Sequence, residues 1–278
     1  MQTNEQIKEM VRQKYSEIAL QDKAANAASC CGAGGCSTEV YNIMSEEYDE
    51  LNGYNKEADL GLGCGLPTQF TQIKKGDVVV DLGSGAGNDC FVARALVGEK
   101  GKVIGVDFTQ AMIDKARENA EKLEYNNVEF RFGDIEKLPV TANKADVIIS
   151  NCVLNLVPDK EKAFSEIFRV LKPGGHLSVS DVVIEGELPD NLKQAAEMYA
   201  GCVSGAIHKE KYLSIIAEKG FTNIKVRKEK SITIPDEILL TYISADQLND
   251  LKQSGTGIFS ITVYAEKSVS GCGCGCNC

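Results

Sequence analysis

The chain has 278 residues, a hydrophobic fraction of 43%, a formal net charge of −10 and pI ≈ 4.9. Its length and apolar content are enough for one large folded unit or two smaller ones. The acidic balance argues against a general nucleic-acid binder, which has to neutralise phosphates over a wide face. No run approaches ~18 apolar residues, so no membrane-spanning helix is expected. The opening "MQTNEQIKEMVRQKYSEIAL" lacks an apolar signal core. The expectation is a monomeric cytoplasmic chain without nucleic-acid or membrane partners.

Residues 5–20 place Ile7, Met10, Val11, Tyr15 and Ile18 at helical spacing, which predicts a short amphipathic helix. Residues 22–37 are rich in Ala, Gly and Cys and read as a loop; a second helix is expected from near Thr38. From residue 75 the pattern changes. "DVVVDLG", "KVIGVDF", "VEFRFGD", "ADVIISNC" and, after a turn at "KPGG", "HLSVSDVV" read as five strands. "NDCFVARALVG", Ala111–Leu123 and Lys160–Leu171 read as helices between them. Continuous apolar strands alternating with helices predict an α/β fold, a parallel sheet covered on both faces.

Helices near 191–201 and 208–219, a strand near 222–233 and a last strand over "FSITVYAEK" follow. The expected division is 1–74, an N-terminal helix and Cys-bearing loops; 75–186, the sheet core; 187–268, a smaller α+β region; and 269–278, a Cys-rich tail. That tail, "SGCGCGCNC", has no core-forming residue.

Trp is absent, while Cys numbers 11. Cys30, Cys31 and Cys36 cluster near the N-terminus, and Cys272, Cys274, Cys276 and Cys278 alternate at the end. Cys64, Cys90, Cys152 and Cys202 stand singly. In a cytoplasmic chain such thiols point to metal binding, catalysis or redox chemistry rather than to structural bridges. Cys90 falls on the buried face of the first core helix and reads as packing.

"DLGSGAGND" follows the first strand and opens a helix. Its glycines allow a tight turn and close approach of backbone N–H groups to a ligand. The run is Asp81-x-Gly83-x-Gly85-x-Gly87, and Asn88 stands where the dinucleotide fingerprint needs Gly or Ala. Asp107 ends the second strand 20 residues beyond Gly87, where a carboxylate can take the two hydroxyls of a ribose.

"VVVDLGSGAGND", "GVDFTQAMI", "FGDIEKLP" and "SNCVLNLVPDKEKAFSEIFRVLKPGG" together resemble the class I S-adenosylmethionine-dependent methyltransferases, over roughly residues 75–185. The resemblance implies a Rossmann-like sheet with S-adenosyl-L-methionine as cofactor. It implies that Gly83, Ser84 and Gly85 contact the methionine part, that Asp107 holds the ribose and that Met112 packs near the adenine. Asp134 and Ile135 would face the adenine edge, and Asp81 and Asn151 complete the set.

Oxygen and nitrogen acceptors usually need a base, yet the chain has only His176 and His208. His176 opens the fifth strand, at the end away from the ligand edge, and carboxylates are the other candidates. Cys152 lies just past the carboxyl end of the fourth strand, where ligands of open α/β sheets bind. Alone it reads as a small buried hydrophobe. Cys64 in "GLGCGLP" and Cys202 in "YAGCVSGA" join it on separate loops. Three thiolates suit a soft centre; zinc would ask for a fourth ligand.

"GLGCGLP", "SNCVLNLVPDK" and "GCVSGA" look like the arsenite S-adenosylmethionine methyltransferases, and the resemblance extends over most of residues 25–265. It implies that Cys64, Cys152 and Cys202 hold As(III), delivered as arsenite or its thiol conjugates. It also implies an N-terminal cysteine that pairs with Cys64 during turnover and is reset by thioredoxin or a glutathione-type reductant. The "SCC" pair, Cys30 and Cys31, matches that motif, while Cys36 has the more usual spacing, 28 residues before Cys64. Two other functions fit the residues: a C- or O-methyltransferase of another small molecule, and a non-catalytic thiol-rich metalloid-binding protein.

Overall fold

The computed structural model describes residues 3–20, 48, 50–188 and 205–269. The expected helices near Thr38 and 191–201, the loop 22–37, Cys202 and the tail lie outside them. The first helix, α1 (Asn4–Ala19), starts at a capping box. Thr3 Oγ1 accepts from the Gln6 N–H at 3.3 Å, and Gln6 Oε1 accepts from the Thr3 N–H at 2.9 Å, so two orphan donors of the first turn are satisfied. Ile18 is buried, but Met10, expected on the apolar stripe, is 52% exposed. The helix packs along its Lys8–Val11–Tyr15 side against a cleft described below, which turns Met10 outward.

The core then alternates as read: β1 (Val78–Leu82), α2 (Asn88–Val97), β2 (Lys102–Asp107), α3 (Gln110–Lys122), β3 (Val128–Phe132), β4 (Ala145–Asn151), α4 (Lys160–Val170) and β5 (Leu171–Glu185). Beyond it come α5 (Lys209–Glu218), β6 (Phe221–Ile232), the short α6 (Asp236–Leu239), α7 (Ala245–Ser254) and β7 (Gly257–Lys267). One seven-stranded sheet results, in the order β3-β2-β1-β4-β5-β7-β6. Strands β1 to β5 pair in parallel, and β7 lies antiparallel to both β5 and β6. The strands of the C-terminal region therefore extend the core sheet.

Each face buries its own core. Val79, Val147 and Ile149 pack with Phe91 of α2 and Ile113 of α3. Val80, Ile148 and Leu177 pack with Phe164 of α4 and Tyr212 of α5. Burying one such large side chain stabilises by roughly 1.5–3 kcal/mol. β6 is one edge of the sheet, studded with Lys225, Lys228 and Lys230, which discourages pairing with another chain.

Two details depart from the sequence reading. "KPGG" does not precede β5 as a separate turn: Leu171 already pairs with Ala145, and the next pair is His176 with Val147, so Lys172–Gly175 loop out of one continuous strand. Lys172 holds the excursion by donating to the Asp146 carboxylate at 2.8 Å. Helix α7 was not anticipated, although its signals are present: Ser244 and Gln247 form a capping box, and Gly255 ends the helix at φ +70°.

Candidate active site

Strand order reverses between β1 and β4, because β1 continues outward to β2 and β3 while β4 continues to β5. Connections leave to opposite faces there, and a crevice opens at the carboxyl ends of the strands. A cleft of about 1090 Å³, open solvent at its mouth included, occupies that place. α1 closes one side of it: Lys8 Nζ donates to Asp134 at 2.7 Å and to Glu136 at 2.8 Å.

The glycine loop forms the floor. Gly83 sits at φ +65°, and a Cβ there would fall 2.4 Å from Val153. Gly85 sits at φ +50° with open space where its Cβ would project. Only glycine takes such conformations at no steric cost. Gly87, also at positive φ, caps α2 in the left-handed conformation, and Asn88, where the fingerprint needs Gly or Ala, is the first residue of the helix. Asp107 ties the floor together: its Oδ2 accepts from the Gly85 N–H at 3.1 Å and its Oδ1 from the Thr109 N–H at 2.8 Å. Burial pushes its carboxyl up, and those backbone bonds pull it back. Each oxygen retains a second lone pair.

Asp81, Gly83, Ser84, Gly85, Asp107, Met112, Asp134, Ile135 and Asn151 all line the cleft. The sequence reading missed Asp89 and Tyr48 as further lining residues. Burial raises the Asp81 carboxyl well above the usual carboxylate range, and the charge of Asp89 adds to it. Burial also lifts Asp89, to about 6, against hydrogen bonds from Asn151 and Tyr48 that lower it. Among the described residues that line the cleft the only cation is Lys8, which is engaged with Asp134 and Glu136.

Cys152 follows β4 at φ +60°, a left-handed conformation uncommon for any residue but glycine, and it is 2% exposed. Its N–H donates to Ser180 O of β5 at 2.8 Å, which holds it there. Such backbone strain costs on the order of 1–3 kcal/mol and gathers at functional sites. Cys152 lines the cleft on one side and on the other joins a buried cluster with Cys64, Val182, Ile184, Ala206 and Ile258. Cys64, also 2% exposed, is held at both backbone groups. Its N–H donates to Asn151 Oδ1 at 3.0 Å and its carbonyl accepts from Ser260 Oγ at 2.6 Å.

The structure thus brings together two of the three expected arsenic thiols. Cys202 lies outside the described residues, but Ala206, four positions later in sequence, is part of the Cys64–Cys152 cluster. Cys30 and Cys31 are likewise outside. Among the described residues no three His, Cys, Asp or Glu side chains gather as a metal site. Cys90 is fully buried and its thiol donates to Asp81 Oδ2 at 3.2 Å. Burial and the Asp81 charge raise its pKa well above the ordinary thiol value. His176 pairs with Val147, at the end of the sheet away from the cleft, and burial lowers its pKa.

Residues 73–220 match the methyltransferase domain family. The chain is 41% identical over 242 residues to an arsenite methyltransferase of Halobacterium salinarum, covering 82% of this chain and 61% of that protein. It is 33% identical to an arsenite methyltransferase of Aquipseudomonas alcaligenes, covering 88% and 69%. The chain belongs to the arsenite methyltransferase family. The fold agrees: the crystal structure of an arsenic(III) S-adenosylmethionine methyltransferase from Chlamydomonas reinhardtii superposes with a TM-score of 0.63 at 31% identity, covering 83% of this chain and 74% of that one. The chain spans about three fifths of the length of the Halobacterium relative.

This family implies S-adenosylmethionine, and the cleft fits it on three observations. Gly85 faces open space that a Cβ would enter. Ser84 Oγ is buried with no hydrogen-bond partner among the described residues. The one cation among the described lining residues, Lys8, is engaged with Asp134 and Glu136, so a ligand bearing a sulfonium and an ammonium would supply the positive charge that favours the ionised forms of the buried Asp81 and Asp89.

Proposed function

We propose that this chain transfers methyl groups from S-adenosylmethionine to trivalent arsenic held by cysteine thiolates, giving methylated arsenicals. The observation that carries the reading is Cys152. It is a strained, buried thiol at the boundary between the cofactor cleft and the Cys64 cluster. Gly83, Ser84 and Gly85 would hold the methionine part, Asp107 the ribose, and Met112, Asp134 and Ile135 the adenine. Bound there, the cofactor supplies an electrophilic sulfonium methyl group.

Cys64, Cys152 and Cys202 hold the arsenic, which keeps a lone pair when bound to three thiolates. That lone pair is the nucleophile, so no proton has to be removed. In agreement, no histidine lines the cleft. Forming the As–C bond takes arsenic from the trivalent to the pentavalent state. Two thiols, Cys64 and one of Cys30 or Cys31, return two electrons and close a disulfide. A thioredoxin- or glutathione-type dithiol then reopens it by exchange. Holding both reactants side by side supplies much of the acceleration.

Arsenic speciation after incubation with arsenite, S-adenosylmethionine and a thiol reductant tests the proposal. Methylated arsenic, with S-adenosylhomocysteine formed only when arsenite is present, is the expected result. S-adenosylhomocysteine formed with other acceptors and not with arsenite would transfer the reading to another small-molecule methyltransferase. No turnover with any acceptor would leave a binding protein.

A further inference from the structure

We infer that Asn151 is a positioning residue for Cys64, with its amide locked by Tyr48 and Asp89. The inference rests on the proposed role of Cys64 as an arsenic thiolate. Asn151 ends β4, one residue before the strained Cys152. Its Oδ1 accepts from the Cys64 N–H at 3.0 Å. Its Nδ2 faces three oxygens: Tyr48 Oη at 2.7 Å, Gly65 O at 2.8 Å and Asp89 Oδ2 at 3.1 Å. Those partners fix the amide orientation, because the flipped group would set its oxygen against three acceptors and its NH2 against an N–H.

An amide nitrogen has two protons, and here more than two acceptors claim them. Although the side chain lines the cofactor cleft, it therefore has no N–H left for the cofactor. What it does hold is the cysteine loop, on both sides of Cys64. The residue before Cys64 is packed against the same amide: a Cβ on Gly63 would lie 2.7 Å from Asn151 Nδ2. Tyr48 in turn reaches the Asp89 carboxylate, at 3.0 Å and 3.1 Å to its two oxygens, so its hydroxyl passes the constraint from α2 to the loop. Four parts of the chain meet at one amide: Tyr48, the Cys64 loop, α2 and the end of β4. The backbone of Cys64 is thereby set relative to Cys152.

Arsenite needs all three thiolates, whereas methylarsenite, with one valence taken by carbon, needs two. Displacing Cys64 should therefore penalise arsenite selectively. The experiment uses the full chain with Asn151→Ala. The expected result is a fall of about tenfold in the ratio of kcat/KM for arsenite to that for methylarsenite, the size of one lost buried hydrogen bond. S-adenosylmethionine Kd by calorimetry should change by less than about threefold. An unchanged ratio would overturn the inference, and so would a Kd weakened by about tenfold or more, which would make Asn151 a cofactor ligand.

Tyr48→Phe is the milder variant, in case Asn151→Ala fails to fold. It removes one partner of the amide and should lower the same ratio by about threefold; no change in the ratio counts against the inference. Iodoacetamide labelling of the arsenic-free protein, read by peptide mass spectrometry, is independent of turnover. Alkylation of Cys64 relative to Cys90 should rise at least about threefold in Asn151→Ala. If the wild type methylates no arsenite, the proposed function fails, and this labelling result still decides whether Asn151 positions Cys64.

Discussion

Cys90 and Cys152 are both buried thiols, 0% and 2% exposed, and both sit next to groups that line the cleft. Under the floor, Cys90 is part of a regular helix and spends its proton on Asp81. At the rim, Cys152 is held at φ +60° outside any helix or strand and packs with a second thiol. Burial does not separate the two. What separates them is that the Cys90 thiol donates to a carboxylate that raises its pKa, while Cys152 takes a left-handed backbone conformation held by the Ser180 carbonyl. Reactive thiols need thiolate character, and the bond from Cys90 to Asp81 works against it at the floor.

The sharpest way to break this comparison is to exchange sulfur for oxygen in each region. Cys152→Ser and Cys202→Ser should each cut kcat/KM for both arsenite and methylarsenite by about a thousandfold or more, ~4 kcal/mol of barrier, by arsenic speciation. Cys90→Ser should stay within about threefold of the wild type. If Cys90→Ser loses as much, the floor and the rim do not differ as described.

A second buried acid extends the contrast. Asp181 of β5 is fully buried, and its carboxyl is pushed up to about 7 by that burial, against the charge of Lys160 and hydrogen bonds from Val182 and Tyr212. Its folded value is above its unfolded one, so the folded state binds the extra proton and stability falls as pH rises through roughly 4 to 7. The loss is complete above that window, at most about 4 kcal/mol. Asp181→Asn keeps an acceptor for the Tyr212 hydroxyl, which donates at 3.2 Å, and removes the charge. The variant should be more stable than the wild type at pH 8 and similar at pH 4, by urea unfolding; a constant difference across pH would refute the assignment. Asp89 titrates near 6 in both proteins and cancels in the difference.

Asp107→Ala should weaken S-adenosylmethionine binding by ~1.5–3 kcal/mol, because a charge-assisted hydrogen bond is lost, as calorimetry would read. Cys64→Ser should lower activity on arsenite more than on methylarsenite, by about tenfold, ~1.4 kcal/mol. Equal losses on both would place Cys64 with Cys152 rather than apart from it.

The smallest expected effect is that of Cys152→Gly, set against glycine at Cys90. Cys152→Gly relieves the left-handed strain while losing a buried thiol, so stability should stay within about 1 kcal/mol. Cys90→Gly places glycine inside a helix and removes the donor to Asp81, which should cost about 2 kcal/mol. Thermal unfolding of the two variants gives the comparison directly; equal destabilisation would mean that the Cys152 conformation carries no strain.

Much of the sheet was legible because β1, β2 and β4 are short apolar runs closed by turn residues and buried along most of their length. Met10 was misplaced because periodicity finds a stripe without saying which part of it meets the sheet. Helix α7 went unread although Ser244, Gln247 and Gly255 mark its ends, since its interior buries only Leu248 and has little apolar pattern. The lining of the cofactor cleft was largely readable, because glycine spacing and the acid ending β2 are local signals.

From sequence alone came the alternation that dictates a parallel core, the glycine loop, Asp107 at the end of its strand, and three isolated cysteines on separate loops. All depend on neighbours within a turn or a strand, where local sterics and pattern rule. Only the tertiary structure put Cys64 beside Cys152, set Cys152 in a left-handed backbone, and joined Asn151 to Cys64 and Tyr48 across 87 and 103 residues. Contacts at that separation depend on how the sheet twists and where its strand order reverses. No local pattern of side chains records either.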